Sequence, residues 1–225
     1  MKIVFYGTRE YDHYYFDVLA ADPEYGCEIR FLTANLDADT APLARGGDAV
    51  CAFVNADCSA SVLERLANAG YIRKGNILLD YGCGKGRVDF FLSYQTRCKS
   101  IGIEYDERIY EKAAENKKDA VSSGRVEIEL ANAEEFAVPE TADCMYFFNP
   151  FSVEILRKVM ARILESYYAE PRRIQLFFYY PSDEYISYLM TVEELMFIDE
   201  IVCMDLFPGE DPREKIAIFE LDYME

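Results

Sequence analysis

The stretch that decides the fold is ILLDYGCGKGR, at residues 77–87. An apolar run ends in an aspartate, and three glycines then occupy alternate positions. The apolar run predicts a buried strand, and glycines allow a backbone to turn tightly and approach a ligand closely. A helix is predicted to follow directly, so that its free amide hydrogens face the loop. The stretch indicates a nucleotide-like ligand between strand and helix; a tight turn without a ligand is the alternative.

Strands and helices are predicted to alternate on both sides of this loop. Apolar periodicity, turn residues and helix caps indicate where each of them begins and ends. The pattern predicts an α/β fold with a mostly parallel sheet that helices cover on both faces. Strands are predicted at residues 2–6, 28–32, 48–54, 76–81, 99–104, 125–130, 142–148, 173–180, about 200–205 and 215–221. Helices are predicted at residues 10–21, 59–70, from about 85, at 107–121 and at 151–168.

The charge of the chain bears on its partners. The 225 residues are 51% hydrophobic, enough for a substantial core, and carry a formal net charge of -18. Such a surface repels phosphate backbones and removes the electrostatic attraction that supplies most non-specific affinity for nucleic acids. Nucleic acid is therefore predicted to be an improbable partner.

The cysteines and the apolar segments bear on location. Seven cysteines form no C-x-x-C pair, which favours free thiols in a reducing compartment and argues against a metal site. No apolar window approaches the length that a membrane helix needs, and the first residues lack the pattern of a signal peptide. The sequence predicts a cytoplasmic protein without a membrane segment.

The spacing of the loop distinguishes two kinds of nucleotide site. The dinucleotide fingerprint is G-x-G-x-x-G, whereas here the third glycine arrives one residue early. The pattern Asp80-x-Gly82-x-Gly84-x-Gly86 resembles the first motif of class I methyltransferases that depend on S-adenosylmethionine. The resemblance covers residues 75–225 and implies a Rossmann-like sheet, with the glycine loop along the methionine moiety of the cofactor.

The same resemblance assigns the other cofactor contacts. Glu104 ends the second strand of this region, where such enzymes hold the two ribose hydroxyls, and Tyr105 follows it in the cofactor site. Asn132 and Ala133, after the third strand, fall where the family meets the adenine edge. An acid at the position of Glu104 is also typical of NAD proteins, so this residue alone does not discriminate.

The fourth strand ends in a candidate acceptor motif. Asn149, Pro150 and Phe151 lie where many amine methyltransferases carry an Asn-Pro-Pro-aromatic motif, and they are the predicted catalytic residues. The match is partial because a second proline is missing, so the methyl acceptor stays open, with an amine nitrogen as one possibility. Helix initiation is a competing explanation, since Asn is a good N-cap and Pro is favoured at the first helical position.

The N-terminal part raises a separate question. Its first residues, MKIVFYGTREYDHYYFDVLA, resemble the start of D-lactate dehydrogenases in the D-2-hydroxyacid dehydrogenase family, and the resemblance stops near Gly70. The chain is therefore predicted to join a truncated, flavodoxin-like dehydrogenase lobe at 1–71 to a methyltransferase domain at 72–225, by a natural gene fusion, a genomic rearrangement or misassembly of the gene. Only one histidine, His13, is present, and no motif assigns it acid/base chemistry on a hydroxy acid.

Two other functions stay open. The chain could be a non-catalytic module that binds S-adenosylmethionine or another nucleotide, or a remnant of an NAD-dependent oxidoreductase. The aromatic residues that end the fourth and fifth strands of the second region are expected in the core, and Tyr180 is the one most easily placed in a substrate site.

Overall fold

The computed structural model describes residues 1–8, 10–23, 25–34, 36, 40–52, 60–207 and 210–222. The chain divides into two compact units, Met1–Ala56 and Asp57–Glu225. The division lies before the 71/72 boundary predicted from the sequence, because the helix between them belongs to the second unit.

The first unit is a small parallel sheet. Strand β1 (Lys2–Tyr6) lies between β2 (Glu28–Leu32) and β3 (Ala49–Ala52), and helix α1 (Glu10–Ala21) connects the first two strands. The central strand buries its last three residues, as expected for an apolar segment paired on both edges. The predicted third strand extended to residue 54, but residues 53 and 54, and the predicted helix start at Ser59, lie outside the described residues.

The second unit contains seven strands and five helices among the described residues. The strands are β4 (Ile77–Tyr81), β5 (Lys99–Glu104), β6 (Val126–Leu130), β7 (Cys144–Phe147), β8 (Ile174–Tyr179), β9 (Met196–Val202) and β10 (Lys215–Leu221). The helices are α2 (Ala60–Asn68), α3 (Arg87–Thr96), α4 (Glu107–Asp119), α5 (Val153–Ala169) and α6 (Asp183–Leu189). No described helix combines the length and the apolar character that a membrane crossing needs.

The topology of this sheet brings the candidate loops to one edge. The strand order is β6-β5-β4-β7-β8-β10-β9, with β4 to β8 parallel and β10 antiparallel to both of its neighbours. The order reverses at β4, so right-handed crossovers place α3 and α4 on one face and α5 on the other. Ligands in open α/β sheets bind beyond the carboxyl ends of the strands at such a reversal. The loops after β4, β5, β6 and β7 meet there.

The core is continuous under the face that α5 and α6 cover. Three aromatic rings stack across neighbouring strands: Tyr81 and Phe147 have centroids 4.9 Å apart, and Phe147 and Phe178 have centroids 4.6 Å apart. All three side chains are buried, as are Phe177 and Tyr179. The aromatic strand ends are thus core residues, as expected, because each strand is buried on both faces.

Three of the differences from the sequence expectation have a clear physical reason. The segment DEYISYL forms a seven-residue helix, α6, which is too short for helical periodicity to stand out. Strand β9 begins at Met196, earlier than the predicted 200, because edge strands expose both faces and show no clear alternation. Helix α5 begins at Val153 and its N-cap is Ser152, so the helix starts later than the predicted residue 151.

Candidate functional site

The glycine loop has a backbone that only glycine adopts easily. The φ angles of Gly82, Gly84 and Gly86 are 74°, 58° and 82°, all in the left-handed region. The loop is tied to the next strand because the amides of Gly82 and Cys83 donate to the carbonyl oxygen of Ile103, at 2.9 and 3.1 Å. The alternating glycines therefore reflect three separate turns of the backbone.

The first glycine packs against the candidate acceptor turn. A Cβ atom at Gly82 would lie 2.6 Å from the Cβ of Pro150, too close for any side chain. The loop after β4 and the turn after β7 are thus in direct contact. The structure brings together the two motifs that the sequence singled out separately.

Glu104 holds the loop from the end of β5. Its Oε2 atom accepts a hydrogen bond from the amide of Gly84 at 3.0 Å, and its Oε1 atom accepts from the amides of Tyr105 and Asp106, each at 2.9 Å. Two of these amides belong to its own turn, so the carboxylate is fixed in orientation. Lone pairs on Oε2 remain for a ligand hydroxyl, since a carboxylate oxygen accepts more than one hydrogen bond.

The other predicted cofactor residues lie beside Glu104. Tyr105 is 76% exposed, so its ring is not part of the core and can cover a ligand. The amide of Ala131 donates to the carbonyl oxygen of Glu104 at 2.9 Å, which brings the residues after β6 to this strand end. Asn132 is half-buried, and its Oδ1 atom accepts from the amide of Glu134 at 3.1 Å.

Ala133 completes this group. It is half-buried and packs against the core under α5 and α6. The segment that the family resemblance assigned to the adenine edge therefore lies between the strand end at Glu104 and the apolar face of the sheet.

Asn149 has an unusual backbone rather than a capping role. Its φ angle is 46°, in the left-handed region that Asn tolerates better than most residues. The N-cap of α5 is Ser152, so helix capping by Asn149, the alternative suggested by the sequence, is wrong. Asn149 is exposed at the carboxyl end of β7, next to the glycine loop.

A buried tyrosine that sequence reasoning missed holds the same turn. The hydroxyl of Tyr185 on α6 donates to the carbonyl oxygen of Phe151 at 2.5 Å. The ring of Phe151 meets that of Phe147 edge-on, with centroids 6.3 Å apart. The sequence offers no local signal for this contact, because 34 residues separate the partners.

Tyr180 is engaged within the protein. Its φ angle is 52°, its hydroxyl donates to Asp211 at 2.6 Å, and the Arg213 guanidinium lies 4.6 Å from its ring centroid. Burial, together with the hydrogen bond to Asp211, raises the pKa of Tyr180 to about 12. Only 6% of the residue is exposed, so its ring contributes little surface to an acceptor.

Two acids meet beneath the glycine loop. Asp80 is 2% exposed and Asp89, in the first turn of α3, is fully buried. Burial and the charge of Asp89 hold the pKa of Asp80 well above its usual range, and the two side chains share a hydrogen bond. Burial raises the pKa of Asp89 to about 7, against the opposing effect of hydrogen bonds from Ser100 and Asp80. Asp80 therefore carries the proton at neutral pH.

A cavity of about 470 Å³ opens elsewhere, at the amino-terminal edge of the sheet. Its charged groups already have partners within the protein: Arg173 meets Glu220 at 2.6 Å, Asp143 accepts from Asn76 and from the amide of Ile77, and Arg73 donates to the carbonyl oxygen of Gly70. Parallel α/β sheets bind ligands at the opposite edge. The candidate site is therefore the loop edge rather than this cavity.

A comparison with protein families addresses the second unit. Residues 72–172 match the model of a methyltransferase domain. This segment is a methyltransferase domain. The class I methyltransferase resemblance read from Asp80 and the three glycines is confirmed, and the Rossmann-like fold class with it.

Solved structures agree on the fold of the methyltransferase domain. A protein of the NADB-Rossmann superfamily from Streptococcus agalactiae superposes with a TM-score of 0.55 at 18% identity, over 72% of this chain and 68% of that one. An RNA methyltransferase from Salinibacter ruber, solved with S-adenosylhomocysteine, gives a TM-score of 0.51 at 16% identity, over 73% and 93% of the chains. At these identities the likeness describes the fold alone.

The N-terminal resemblance is confirmed as well. D-lactate dehydrogenase from Escherichia coli is 40% identical over 70 residues, which are 31% of this chain and 21% of that enzyme. The chain thus spans about a fifth of the length of the curated relatives that it matches. The match is to the N-terminal region of these dehydrogenases.

Proposed function

We propose that the methyltransferase domain transfers a methyl group from S-adenosylmethionine to an amine nitrogen held at Asn149, Pro150 and Phe151. The observation that carries this proposal is the contact between Gly82 and Pro150, which brings a glycine loop and an acceptor turn to one point of the sheet edge. Bound S-adenosylmethionine supplies a methyl group on a sulfonium sulfur, which an acceptor lone pair takes by displacement.

The described residues fit this cofactor. A Cβ at Gly84 would meet no atom within 4 Å, so the outer side of the loop is open to a ligand. Glu104 would accept from the ribose hydroxyls, with Tyr105, Asn132 and Ala133 around the adenine. The acid at the end of β5 and the open glycine loop lie on neighbouring parallel strands, the arrangement in which such folds bind nucleotides.

The acceptor turn would orient the nucleophile. The Oδ1 atom of Asn149 and the carbonyl oxygen of Pro150 can accept N–H hydrogen bonds and so direct a nitrogen lone pair towards the loop. Phe151 would line the entrance. Alignment of this kind converts a bimolecular encounter into an intramolecular one, for which proximity supplies up to about 7–11 kcal/mol of the barrier.

The charge of the protein favours a small or protein-borne amine. With a formal charge of -18, the surface attracts cationic acceptors and repels polyanions. The Salinibacter ruber neighbour is named an RNA methyltransferase, which argues the other way, although the likeness is one of fold. RNA is therefore the second candidate acceptor.

Binding without catalysis and NAD chemistry remain rival functions. The left-handed backbone of Asn149 is compatible with binding as well as with catalysis, since strained residues concentrate where chemistry or ligands need them. An NAD role draws on the dehydrogenase-like N-terminal segment, but that match covers about a fifth of those enzymes. The glycine spacing of the loop also departs from the dinucleotide fingerprint.

A methyl-transfer screen tests the proposal. The full-length protein is incubated with S-adenosylmethionine labelled in the methyl group and with three separate pools: small amines, unmethylated proteins and total RNA. We expect label on nitrogen in the amine or protein pool, with stoichiometric S-adenosylhomocysteine. Label found only in RNA would contradict the acceptor class.

A variant provides the control for the acceptor turn. Asn149→Ala should retain affinity for S-adenosylhomocysteine and lose transfer, because Asn149 contacts the acceptor and not the cofactor. Undiminished transfer by this variant would contradict its catalytic role. Glu107→Gln, an exposed acid of α4, is the matched substitution that should change neither property.

A further inference from the structure

The acid pair beneath the glycine loop depends on a glycine in the neighbouring strand. The register of β4 and β5 sets Gly102 beside Asp80. A Cβ at Gly102 would lie 2.7 Å from the Oδ2 atom of Asp89. The missing side chain at Gly102 thus leaves the space through which Asp89 reaches the sheet from α3.

The hydrogen bonds of Asp89 define its orientation. Its Oδ1 atom accepts from the hydroxyl of Ser100 at 2.5 Å. The Oδ2 atoms of Asp80 and Asp89 are both buried and meet no donor group in the part of the chain that the structure describes. Two carboxyl groups that hydrogen-bond to each other need a proton between them, so the pair together bears at most one negative charge.

The surroundings of the pair include further acidic groups. The neighbouring groups that raise the pKa of Asp80 are acids, Asp89 on α3 and Glu104 on β5. The Cys83 thiol in the loop is neutral, because burial and the nearby acids raise its pKa. A negative charge in a buried site acts strongly on any ligand charge nearby, since protein screens less than water.

We propose that Asp89 is a positioning residue of the cofactor site: it holds Asp80 through a shared proton and gives the floor of the glycine loop a negative charge that favours the cationic sulfonium of S-adenosylmethionine over the neutral sulfur of S-adenosylhomocysteine. The inference rests on the proposed function. The two ligands differ by one methyl group and one positive charge, so their relative affinities report the charge of the site.

Calorimetry on the full-length protein measures this ratio. The dissociation constants of S-adenosylmethionine and S-adenosylhomocysteine are compared in the natural protein, in Asp89→Asn and in Asp80→Asn/Asp89→Asn. Asp89→Asn leaves Asp80 alone and buried, where it keeps its proton, so both variants lack the charge. We expect the preference for S-adenosylmethionine to fall on the order of tenfold in both.

A control variant separates the effect of losing the charge near the cofactor from the effect of losing any hydrogen-bonded acid. Asp143→Asn removes a hydrogen-bonded acid at the start of β7, at the opposite edge of the sheet, and should leave the ratio unchanged. A ratio that falls only in the double variant would overturn the role of Asp89. A ratio that stays constant in both variants would overturn the inference entirely.

A measurement on the natural protein avoids any folding defect of the variants. Below the pKa of Asp89, about 7, the pair takes up its second proton and becomes neutral. We therefore expect the preference for S-adenosylmethionine to be larger at pH 8 than at pH 6. A preference independent of pH would overturn the inference while leaving the proposed function intact. Failure of the natural protein to bind either ligand would overturn both.

Discussion

Gly82 and Pro150 are in contact so close that a Cβ atom on the glycine would lie 2.6 Å from the Cβ of the proline. The glycine loop after β4 and the turn after β7 are therefore one structural unit, although 68 positions separate them in the sequence. Two separate features require a glycine at this position. One is the left-handed backbone, and the other is the contact with Pro150, which leaves no room for a side chain.

Gly82→Ala should displace the acceptor turn and strain the loop. The substituted residue would have to keep a φ angle of 74° and meet Pro150, and we expect the free energy of unfolding to fall by about 1–3 kcal/mol. Affinity for S-adenosylhomocysteine should fall as well. Gly124→Ala is the matched control, because a Cβ there meets nothing within 4 Å. Equal stability of the two variants in urea unfolding would contradict this.

Glu104→Ala should lower affinity for S-adenosylhomocysteine tenfold or more, because charge-assisted hydrogen bonds of about 1.5–3 kcal/mol are lost. Glu104→Gln keeps the size of the side chain but turns an N–H group towards backbone amides, so it should also weaken binding. Calorimetry on both variants measures the effect. Unchanged affinity in Glu104→Gln would indicate that the carboxylate serves the loop and not the ribose.

Asn149→Gly should separate the effect of the backbone conformation at this position from the effect of the side chain. Glycine accepts a φ angle of 46° without strain, whereas Asn149→Ala should lose about 1 kcal/mol of stability. Both variants lack the side-chain oxygen that would hold the acceptor, and both should lose methyl transfer in the labelled screen. Full transfer by the glycine variant would mean that Asn149 serves only the shape of the turn.

The acid pair should make stability decrease as pH rises. Because the pKa values of Asp80 and Asp89 are higher in the folded than in the unfolded protein, the folded state binds more protons above about pH 4. One retained proton lowers the free energy of unfolding by about 1.4 kcal/mol per pH unit between the unfolded pKa and about 7. Denaturant titrations at several pH values give the free energy of unfolding of the natural protein and of Asp80→Asn/Asp89→Asn. Between pH 4 and 7 this free energy should fall with pH in the natural protein more steeply than in the double variant. Parallel curves would contradict the raised pKa values.

Removing the first unit should leave the second folded, provided that α2 is kept. Residues 57–225 contain the complete seven-stranded sheet, and Val62, Leu63 and Leu66 of α2 are fully buried. A chain that starts at residue 72 exposes the surface that these side chains cover and should lose several kcal/mol. Circular dichroism and urea unfolding of the two truncations measure this. Equal stability would place the boundary at 71/72.

Local features of the sequence were sufficient for the loop and its acid. Gly82, Gly84 and Gly86 directly follow a strand that the sequence predicts, and the family resemblance pointed to Glu104 at the end of the next strand. The contacts of Asp89 and Tyr185 depend instead on which helix packs on which strand, and no local pattern specifies that. Gly102, a glycine within a strand, was the available signal for a close approach at Asp80.

Calorimetry of the full-length protein with S-adenosylhomocysteine and with NAD tests whether the glycine loop of the second unit binds S-adenosylmethionine. We expect one S-adenosylhomocysteine per chain, weakened binding in Gly82→Ala and no heat of binding with NAD. Binding of NAD in preference to S-adenosylhomocysteine would contradict an S-adenosylmethionine site at this loop.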